Sequence, residues 1–525
     1  MLPSRVVEVI AISAFAAAVT VVIAAPVLRA PSERVFGMAI VGRHHDPFTV
    51  MEQFGRPMTI GVYSQPVTDV TGALLARVSG AVAAYNWLVL LTFPLSAAAA
   101  YLLARHLKLS PVGATLAAMA YAFSPFHIAH AAYHPHIAQT QWVPLYLLAL
   151  WRCLDEGSPA AVGFLAAATL AVTLSNFYGG LIAAVITPVA VAAYWFVTCR
   201  SVPGSARRLS VTVGSLVLIA AAGVAYAWYA AGAVVVNGAA FAFPRANLFL
   251  YSAKWWSYLV PPVAHPLLGT TARRLWTAAG VDVGLLEQQV SLGWGIIVLG
   301  LIAVVGWPRQ DRPQAARARV PILVVVAVAA LLCSLSPERT IGAFRFVRPS
   351  AILYNVVPMF RSYARFGVVV QLMAALLAGV GVDRLRRAGT MPARVACIAL
   401  VVLAAGEYAV SPSALSRDVL PTTAHRWVVQ QSDRLRVLDC TPLNQESESV
   451  EWLTGYRVTL LPGLGGTIGD CTDANLSHTL AENGYTHLLV RRDSADGKWF
   501  ADHPMPVGLR VAAQFDDGLV LAVQR

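Results

Sequence analysis

Long apolar runs recur through most of this chain and limit what it can fold into. An α-helix needs about 20 apolar residues to cross the roughly 30 Å hydrocarbon core of a bilayer. The chain contains about eleven runs near this length, two of them short. It is therefore predicted to be an α-helical polytopic membrane protein, with spans at 6–28, 82–104, 111–131, 141–152, 159–175, 179–199, 210–236, 291–307, 319–335, 366–383 and 394–411.

The overall composition agrees with this prediction. The chain is 57% hydrophobic and only 13% charged, which is too apolar for a soluble protein of this length. Its net charge of +12 comes from short basic clusters between the apolar runs, so it predicts membrane topology and no nucleic-acid partner. The first run, Val6 to Val27, is long for a signal peptide, and we interpret it as an uncleaved span.

The basic clusters predict the orientation of the spans, because lysine and arginine in short loops stay on the cytoplasmic side. Arg5, Arg105, Arg200, Arg309 and Arg384 mark alternate loops as cytoplasmic. The N-terminus is then cytoplasmic, and the chain lies in the inner (plasma) membrane. The outer segments are 29–81, 132–140, 176–178, 237–290, 336–365 and the residues after 411, and they hold most of the unusual polar residues.

The composition changes at about residue 411, which divides the chain into a membrane domain, 1–411, and a domain of soluble character, 412–525. The second part has strand patterns at 436–439, 486–490 and 519–523 and helix patterns at 425–431 and 476–482. We predict a small exoplasmic (periplasmic) α/β domain. Its cysteines, Cys440 and Cys471, would lie in an oxidising compartment that permits a disulfide, although the sequence does not show whether they meet.

The first outer loop carries the motif Gly42 to Phe48, in which Arg43, His44, His45 and Asp46 precede a helix-breaking proline. A solvated loop is the ordinary interpretation of such residues. Their position, where a membrane span reaches the surface, favours a functional site. Glu52 follows on the same loop, and the amphipathic stretch 70–82 is predicted to lie in the membrane interface.

Further polar residues lie on the other outer segments. His127, His130 and His134 are spaced to share one helix face, followed by His136. A polar cavity lining is favoured over a metal site completed by Asp46. Tryptophans beside Lys254, and Tyr178 in a tight turn, are typical of interfacial anchors. Arginines on the predicted outer face need an anion to hold them there, either a substrate phosphate or anionic lipid headgroups. These residues are Arg345, Arg348, Arg361 and Arg365.

These motifs together resemble those of a known family. The first-loop motif resembles that of GT-C glycosyltransferases, multi-span enzymes that take a sugar from a polyprenyl-phosphate carrier. Several later motifs resemble, in order, landmarks of a bacterial branch: Ala122–Pro125 with His134, 141–145, 258–262 with 265–269, and 357–360 with 364–366. In many members a second acidic residue lies in the first loop where this chain has Gln65, so a metal-bound version of the site is not favoured.

The resemblance implies a polyprenyl-phosphate-linked sugar donor, a glycan, lipid or protein acceptor, and no required cofactor, with a divalent metal as the less favoured alternative. We therefore predict a membrane glycosyltransferase in which Asp46 is the general base, with Glu52 as its rival. The predicted substrate-binding residues are His45, Glu52, His134, His136, Lys254, His265, Arg361 and Arg365.

Two other classes of protein fit parts of the pattern. A transporter or flippase for a lipid-linked glycan would place ionisable residues at mid-membrane and often has two similar halves. The predicted spans show neither feature clearly. A non-catalytic envelope assembly protein that presents its C-terminal domain is the third class, since Gln65 replaces an acid.

Overall fold

The structure is a computed structural model of the full chain. The structure describes residues 4–38, 46–55, 65–236, 242–306, 319–431, 435–440, 448–460, 471–473 and 475–524. Each predicted apolar run coincides with one helix or with two consecutive helices. Within the described residues, six helices are long and apolar enough to cross a membrane, and three shorter helices are also apolar. The chain is a multi-pass membrane protein.

The elements of the first half are α1 (Ser4–Ile23), α2 (Ala25–Arg29), β1 (Arg34–Phe36), α3 (Asp46–Gly55), α4 (Pro66–Ser79), α5 (Ala81–Leu90), α6 (Thr92–His106), α7 (Pro111–Ala122), α8 (Pro125–Ala131), α9 (Trp142–Glu156), α10 (Pro159–Ser175) and α11 (Phe177–Tyr194). The rest of the membrane domain contains α12 (Ser205–Val236), α13 (Ala246–Tyr251), α14 (Gly269–Ala278), α15 (Trp294–Val305), α16 (Arg319–Ser334), β2 (Glu338–Ile341), β3 (Phe344–Val347), α17 (Pro349–Val356), α18 (Gly367–Ala388) and α19 (Met391–Glu407).

Serine–proline pairs set where several helices begin. Ser110, Ser124 and Ser158 each accept a hydrogen bond from the backbone N–H three residues later, and each precedes a proline at the first helical position. Proline is tolerated there because that N–H has no partner within the helix. The pair at Ser124 divides the predicted span 111–131 and starts the short helix α8, which carries two of the histidines.

Helix α18 is the central helix of the membrane domain and is almost completely surrounded by other helices. Two glycines make this packing fit. A Cβ atom at Gly379 would lie 2.4 Å from the carbonyl oxygen of Gly113, and one at Gly381 would lie 2.1 Å from that of Leu299. Small residues of this kind let helix backbones approach closely in membranes. The packing holds α18 in place, and Arg365 lies two residues before its first residue.

The segments predicted to be cytoplasmic contact one another at one end of the helices. Glu8 accepts a hydrogen bond from Nε of Arg105 at 3.1 Å, and Nη1 of Arg319 donates to the carbonyl oxygen of Lys108 at 2.9 Å. Both contacts join segments that the sequence placed in the same group. The predicted outer segments contact one another elsewhere, as described below.

The segment after the first span is held by a buried asparagine. Strand β1 pairs antiparallel with β4 (Ser416–Asp418), which precedes the C-terminal domain, so these two segments lie together. Asn86 on α5 is 1% exposed and accepts a hydrogen bond from the N–H of Phe36 at 2.9 Å. Its amide donates to the carbonyl oxygens of Pro31 and Arg34. This one side chain therefore fixes the start of the first outer loop.

We expect Asn86→Ala to destabilise the protein, because it leaves buried backbone groups of this segment without partners. Each such group costs about 1–3 kcal/mol. Asn483→Ala is a suitable control, since Asn483 is exposed and donates only a local bond to Thr479. The melting temperature of the detergent-solubilised protein, followed by tryptophan fluorescence, should fall for Asn86→Ala and stay nearly constant for the control. Equal melting temperatures would remove Asn86 from the determinants of the fold.

The C-terminal region forms the predicted small α/β domain. Strands β5 (Val437–Asp439), β6 (Val458–Leu460), β7 (His487–Arg491), β8 (Leu509–Gln514) and β9 (Gly518–Val523) form one sheet in the order β6-β5-β7-β9-β8. The helices are α20 (Thr423–Gln430), α21 (Glu448–Leu453), α22 (Leu476–Glu482) and α23 (Ala495–Asp502). Cys440 and Cys471 form a disulfide, with their Cα atoms 5.9 Å apart. The sequence predicted three of these five strands and two of these four helices, and the structure adds the pairing of the two cysteines.

Candidate active site

The helix ends that the sequence predicts to be exoplasmic, called the outer ends below, are joined by a series of contacts that begins at α3. The side chain of Phe54 on α3 packs against Gly72 on α4, where a Cβ atom would lie 2.1 Å from the ring. Helix α4 then contacts two other outer segments. Its Asp69 lies 2.7 Å from Nε2 of His136, and its Thr68 hydroxyl donates to the carbonyl oxygen of Ser175 at 2.8 Å. The predicted outer loops therefore meet at one place.

The loop between α8 and α9 exposes only two side chains to this place. From Tyr121 to Gln141 every residue is buried except His134 and His136, which are half-buried. Asp69 accepts the N–H of Gln65 with one carboxylate oxygen, at 2.7 Å, and faces His136 with the other. A carboxylate therefore lies one helical turn after Gln65, at Asp69. There the carboxylate orients an imidazole.

A second cluster lies at the outer end of α8. Nδ1 of His130 and Nδ1 of His134 are 3.2 Å apart, and Nε2 of His130 lies 3.8 Å from Oε2 of Glu287. Oε1 of Glu287 accepts hydrogen bonds from Arg365, at 2.7 Å from Nη2 and 3.0 Å from Nε. These are charge-assisted bonds in a buried setting, since the Arg365 side chain is 12% exposed and that of Glu287 is 5% exposed.

The Glu287 turn is shaped by its neighbours in sequence. Gly284 has a φ of +87°, which a residue with a side chain rarely adopts, and it starts the 3-10 turn Leu285–Gln288. The Gln288 amide donates to the carbonyl oxygens of Leu250 and Ser252 and fixes the turn to the preceding segment. The carboxylate of Glu287 is thereby directed at α8 and at Arg365.

Tyr178 organises the arginines of the last outer segment, and the interpretation of this residue as a membrane-belt aromatic is wrong. Its hydroxyl accepts the backbone N–H groups of Arg361 and Ser362, both at 3.1 Å. The guanidinium of Arg365 lies over the Tyr178 ring, 4.2 Å from its centroid. The contacts hold the 361–365 segment at the N-terminus of α11.

Arg361 is held in a different way from Arg365. Its guanidinium carbon lies 4.4 Å from the centroid of Phe243 and 4.9 Å from that of Tyr251. In the part of the chain that the structure describes, no carboxylate pairs with it. The aromatic faces attract the cation without neutralising its charge. The guanidinium of Arg361 is thus held between two aromatic side chains.

A narrow cleft opens between these elements. It is lined by the end of α10, the start of α11, the loop before α9 and the start of α18. Polar groups face it from several directions, alongside apolar side chains. This mixture is typical of a site that binds a polar group with an attached apolar body, and its polar lining residues are Gln139, Thr140, Ser175, Asn176, Tyr178 and Arg365.

Three predicted residues lie apart from this cluster or have structural partners. His127 does not line the same surface as the other histidines. Its ring packs on Phe93 and makes hydrogen bonds with Thr92 and the carbonyl oxygen of Ala122. Nδ1 of His265 accepts two backbone N–H groups before α14, and its Nε2 lies 2.9 Å from the Gly406 carbonyl oxygen. Lys254 donates to the carbonyl oxygen of Phe249. Burial lowers the pKa of Lys254.

The opening motif lies only partly within the described residues. Arg43, His44 and His45 fall outside them, and so does Tyr63. Asp46 is the first residue of α3, and only its backbone is described. Glu52 lies on the same helix and is half-buried. The roles predicted for His45, Asp46 and Glu52 stay predictions.

The sequence pointed to most of the segments of this site but not to several of its main side chains. His130 was among the predicted histidines, but Glu287 and Asp69 are each single acidic residues in ordinary contexts, and Glu287 lies more than 70 residues from Arg365 in the chain. They form part of a site only because the fold brings these distant residues together. One signal was available, since Glu287 is an acid in the outer segment nearest to the unbalanced arginines. His130, His134 and Glu287 are also the residues here that could hold a metal ion.

The fold and site define a multi-pass membrane protein with a polar, arginine-containing cleft at one end of its helices. The chain belongs to the family described as "Domain of unknown function (DUF6311)", whose sequence model matches residues 43–405. Among curated proteins, no sequence matches this chain.

The chain is also similar to solved structures of two proteins. One is ArnT from Cupriavidus metallidurans bound to undecaprenyl phosphate, with 13% identity and a TM-score of 0.37 over 99% of this chain and 98% of that one. The other is the arabinofuranosyltransferase AftD from Mycobacteria, with 14% identity and a TM-score of 0.47 over 98% of this chain. This chain spans only 41% of the AftD chain. At these identities and TM-scores, the two structures assign no activity to this chain.

Proposed function

We propose that this protein is a membrane glycosyltransferase that moves a sugar from a polyprenyl-phosphate donor to a cell-envelope acceptor on the exoplasmic face. The observation that carries the proposal is the 361–365 segment. It presents two guanidinium groups beside a cleft at the ends of membrane helices, and one of them, Arg361, has aromatic faces but no described carboxylate as its partner. A lipid phosphate matches this position, because its tail can stay in the bilayer while its anion reaches the arginines.

In the proposed reaction the acceptor oxygen attacks the anomeric carbon of the donor sugar. Asp46 takes the proton of the acceptor hydroxyl as the new carbon–oxygen bond forms. The bond between the anomeric carbon and the phosphate oxygen breaks, and the lipid phosphate leaves with the electron pair. Arg361 stabilises the charge that grows on this phosphate, while Arg365 positions the segment through Glu287 and Tyr178. His134 and His136, the half-buried side chains of their loop, contact the sugar.

Asp46 is favoured over Glu52 as the base by its place at the start of α3. Successive residues in an α-helix are rotated by about 100°, so six residues place Glu52 roughly 120° around the helix from Asp46. Positions 46 and 52 therefore lie on different faces of the helix. Phe48, Met51 and Phe54 on α3 are buried and hold the helix against its neighbours. The end of α3 adjoins the C-terminal domain through α21, which carries Trp452 and Leu453 packed on the membrane-domain core.

The proposal requires that the cleft and the C-terminal domain face the exoplasm, with the N-terminus in the cytoplasm. We expect a membrane-impermeant thiol reagent to label Cys440 and Cys471 in intact cells only after a membrane-impermeant reductant has been applied under mildly denaturing conditions. Both residues are buried and disulfide-bonded, so neither step alone should suffice. The buried Cys153, near a predicted cytoplasmic loop, serves as the negative control. Labelling that requires permeabilised cells would reverse the orientation and exclude an exoplasmic site.

The proposed activity can be tested without knowing the sugar. Cell-envelope glycans and lipid-linked sugars are compared by mass spectrometry in cells with and without the protein. We expect one glycan to lose a specific sugar and the matching polyprenyl-phosphate sugar to accumulate. Accumulation of a complete lipid-linked glycan would instead indicate a flippase, and unchanged glycans would contradict a transferase.

A further inference from the structure

Three potential metal ligands converge at the outer end of α8 from two distant parts of the chain. His130 and His134 are four residues apart, and Glu287 comes from the 285–288 turn. Each side chain offers one ligand atom, and the three atoms lie within 4.8 Å of one another. The cluster groups two imidazoles with one carboxylate, which is a donor set of three-ligand zinc sites.

The distances suit a single small ion. A zinc ion with bonds of about 2.0–2.2 Å and tetrahedral angles holds its ligand atoms roughly 3.3–3.5 Å apart. The two Nδ1 atoms are 3.2 Å apart, and Nε2 of His130 is 3.8 Å from Oε2 of Glu287. His130 can use only one ring nitrogen at a time. With one atom from each residue, the three ligand atoms lie within 4.8 Å of one another, so they would have to approach by at most about 1.5 Å to reach the spacing around a common ion.

The surroundings resemble the supporting shell of a metal site. Arg365 binds Oε1 of Glu287 at 2.7 and 3.0 Å and also contacts Oε2 at a longer 3.4 Å from its Nε, while Oε2 faces His130. Carboxylates that bind metals are commonly hydrogen-bonded through such outer partners, which fix their orientation. The side chains of His130 and Glu287 are 1% and 5% exposed. The Arg365 guanidinium lies 2.7 Å from Oε1 of Glu287, so the two buried groups form an ion pair.

We propose that His130, His134 and Glu287 form a binding site for one Zn²⁺ ion. The inference rests on these contacts and not on the proposed transferase activity. The ion would join the end of α8 to the 285–288 turn. Because His134 is the most exposed of the three ligands, the remaining coordination position faces the open side of the cluster. There it can take water or an oxygen of a bound molecule.

The test uses the full-length protein in detergent, with its disulfide intact and any affinity tag removed. Zn²⁺ alone is titrated in competition with a chromogenic chelator. We expect one equivalent to bind tightly, and His134→Gln to weaken binding by at least about 10²-fold, since even outer partners of a site contribute 10–100-fold. Glu287→Gln should also weaken it, because the amide keeps the size but loses the charge. His136→Gln is the matched control, since His136 is equally half-buried in the same loop but pairs with Asp69.

Two further measurements cover a variant that folds poorly. Zn²⁺ should raise the melting temperature of the unmodified protein and of His136→Gln but not that of His134→Gln. Co²⁺ bound to the unmodified protein should give the visible absorption of a four-coordinate site. The absence of a one-to-one complex, or equal binding by His134→Gln and His136→Gln, would show that the cluster is only a hydrogen-bonded histidine pair.

Discussion

Replacing Asp46 by asparagine is expected to lower sugar transfer by about 10²–10⁴-fold, the usual loss when a positioned base is removed. Asparagine keeps the size of the side chain but cannot accept the acceptor's proton. Donor binding should stay near normal, because the arginine segment that faces the phosphate is unchanged. The measurement is the rate at which the variant restores the missing envelope sugar, with binding of the polyprenyl-phosphate donor measured separately in detergent.

Glu52→Gln is the matched control for this prediction. It makes the same chemical change on the same helix, and it should reduce transfer far less. Similar melting temperatures for the two variants would show that folding does not explain the difference. If Asp46→Asn transfers sugar at close to the unmodified rate while Glu52→Gln does not, the base is Glu52. If both are active, the opening motif is a solvated loop.

The architecture followed from the sequence because a bilayer imposes simple rules on it. Backbone groups in hydrocarbon must be paired within a helix, and about 20 residues are needed to cross, so apolar runs mark the helices directly. The basic residues grouped the loops, and the structure brings the predicted outer segments together through Asp69, Ser175, Glu287 and Arg361. The C-terminal strands showed as short apolar runs, which are typical of buried strands.

The details of the site could not be read in this way. The break at Ser124 was visible only as a serine–proline pair inside an apolar run, yet it turns His127 into the helix packing and directs His130 towards Glu287. Tyr178 matched the composition of a membrane belt, and its role as acceptor for two backbone N–H groups depends on a segment more than 180 residues away. Periodicity reports which face of one helix is buried, but it carries no information on which distant side chain meets that face.

The arginine segment gives the other large expected effect. Arg361→Ala removes the cation that lies over Phe243 and Tyr251, and it should lower transfer by about 10²–10³-fold, comparable to the loss of one donor to a developing oxyanion. Arg361→Lys should retain part of the activity, because it keeps the charge but loses the planar fork that binds two phosphate oxygens. The donor's apparent affinity should fall together with turnover, which separates this defect from that of Asp46→Asn.

Arg365 should respond differently from Arg361, although the two lie on one segment. Arg365→Lys cannot keep both hydrogen bonds to Oε1 of Glu287, and Arg365→Ala leaves this buried carboxylate without its cation, so activity should fall in steps and the melting temperature should fall with it. Arg345→Ala is the control, since Arg345 is an exposed outer arginine paired with Glu338, and it should have little effect on either measurement. Equal transfer by Arg361→Ala, Arg365→Ala and Arg345→Ala would assign the outer arginines to lipid headgroups and leave the phosphate of the donor without a binding site in this cleft.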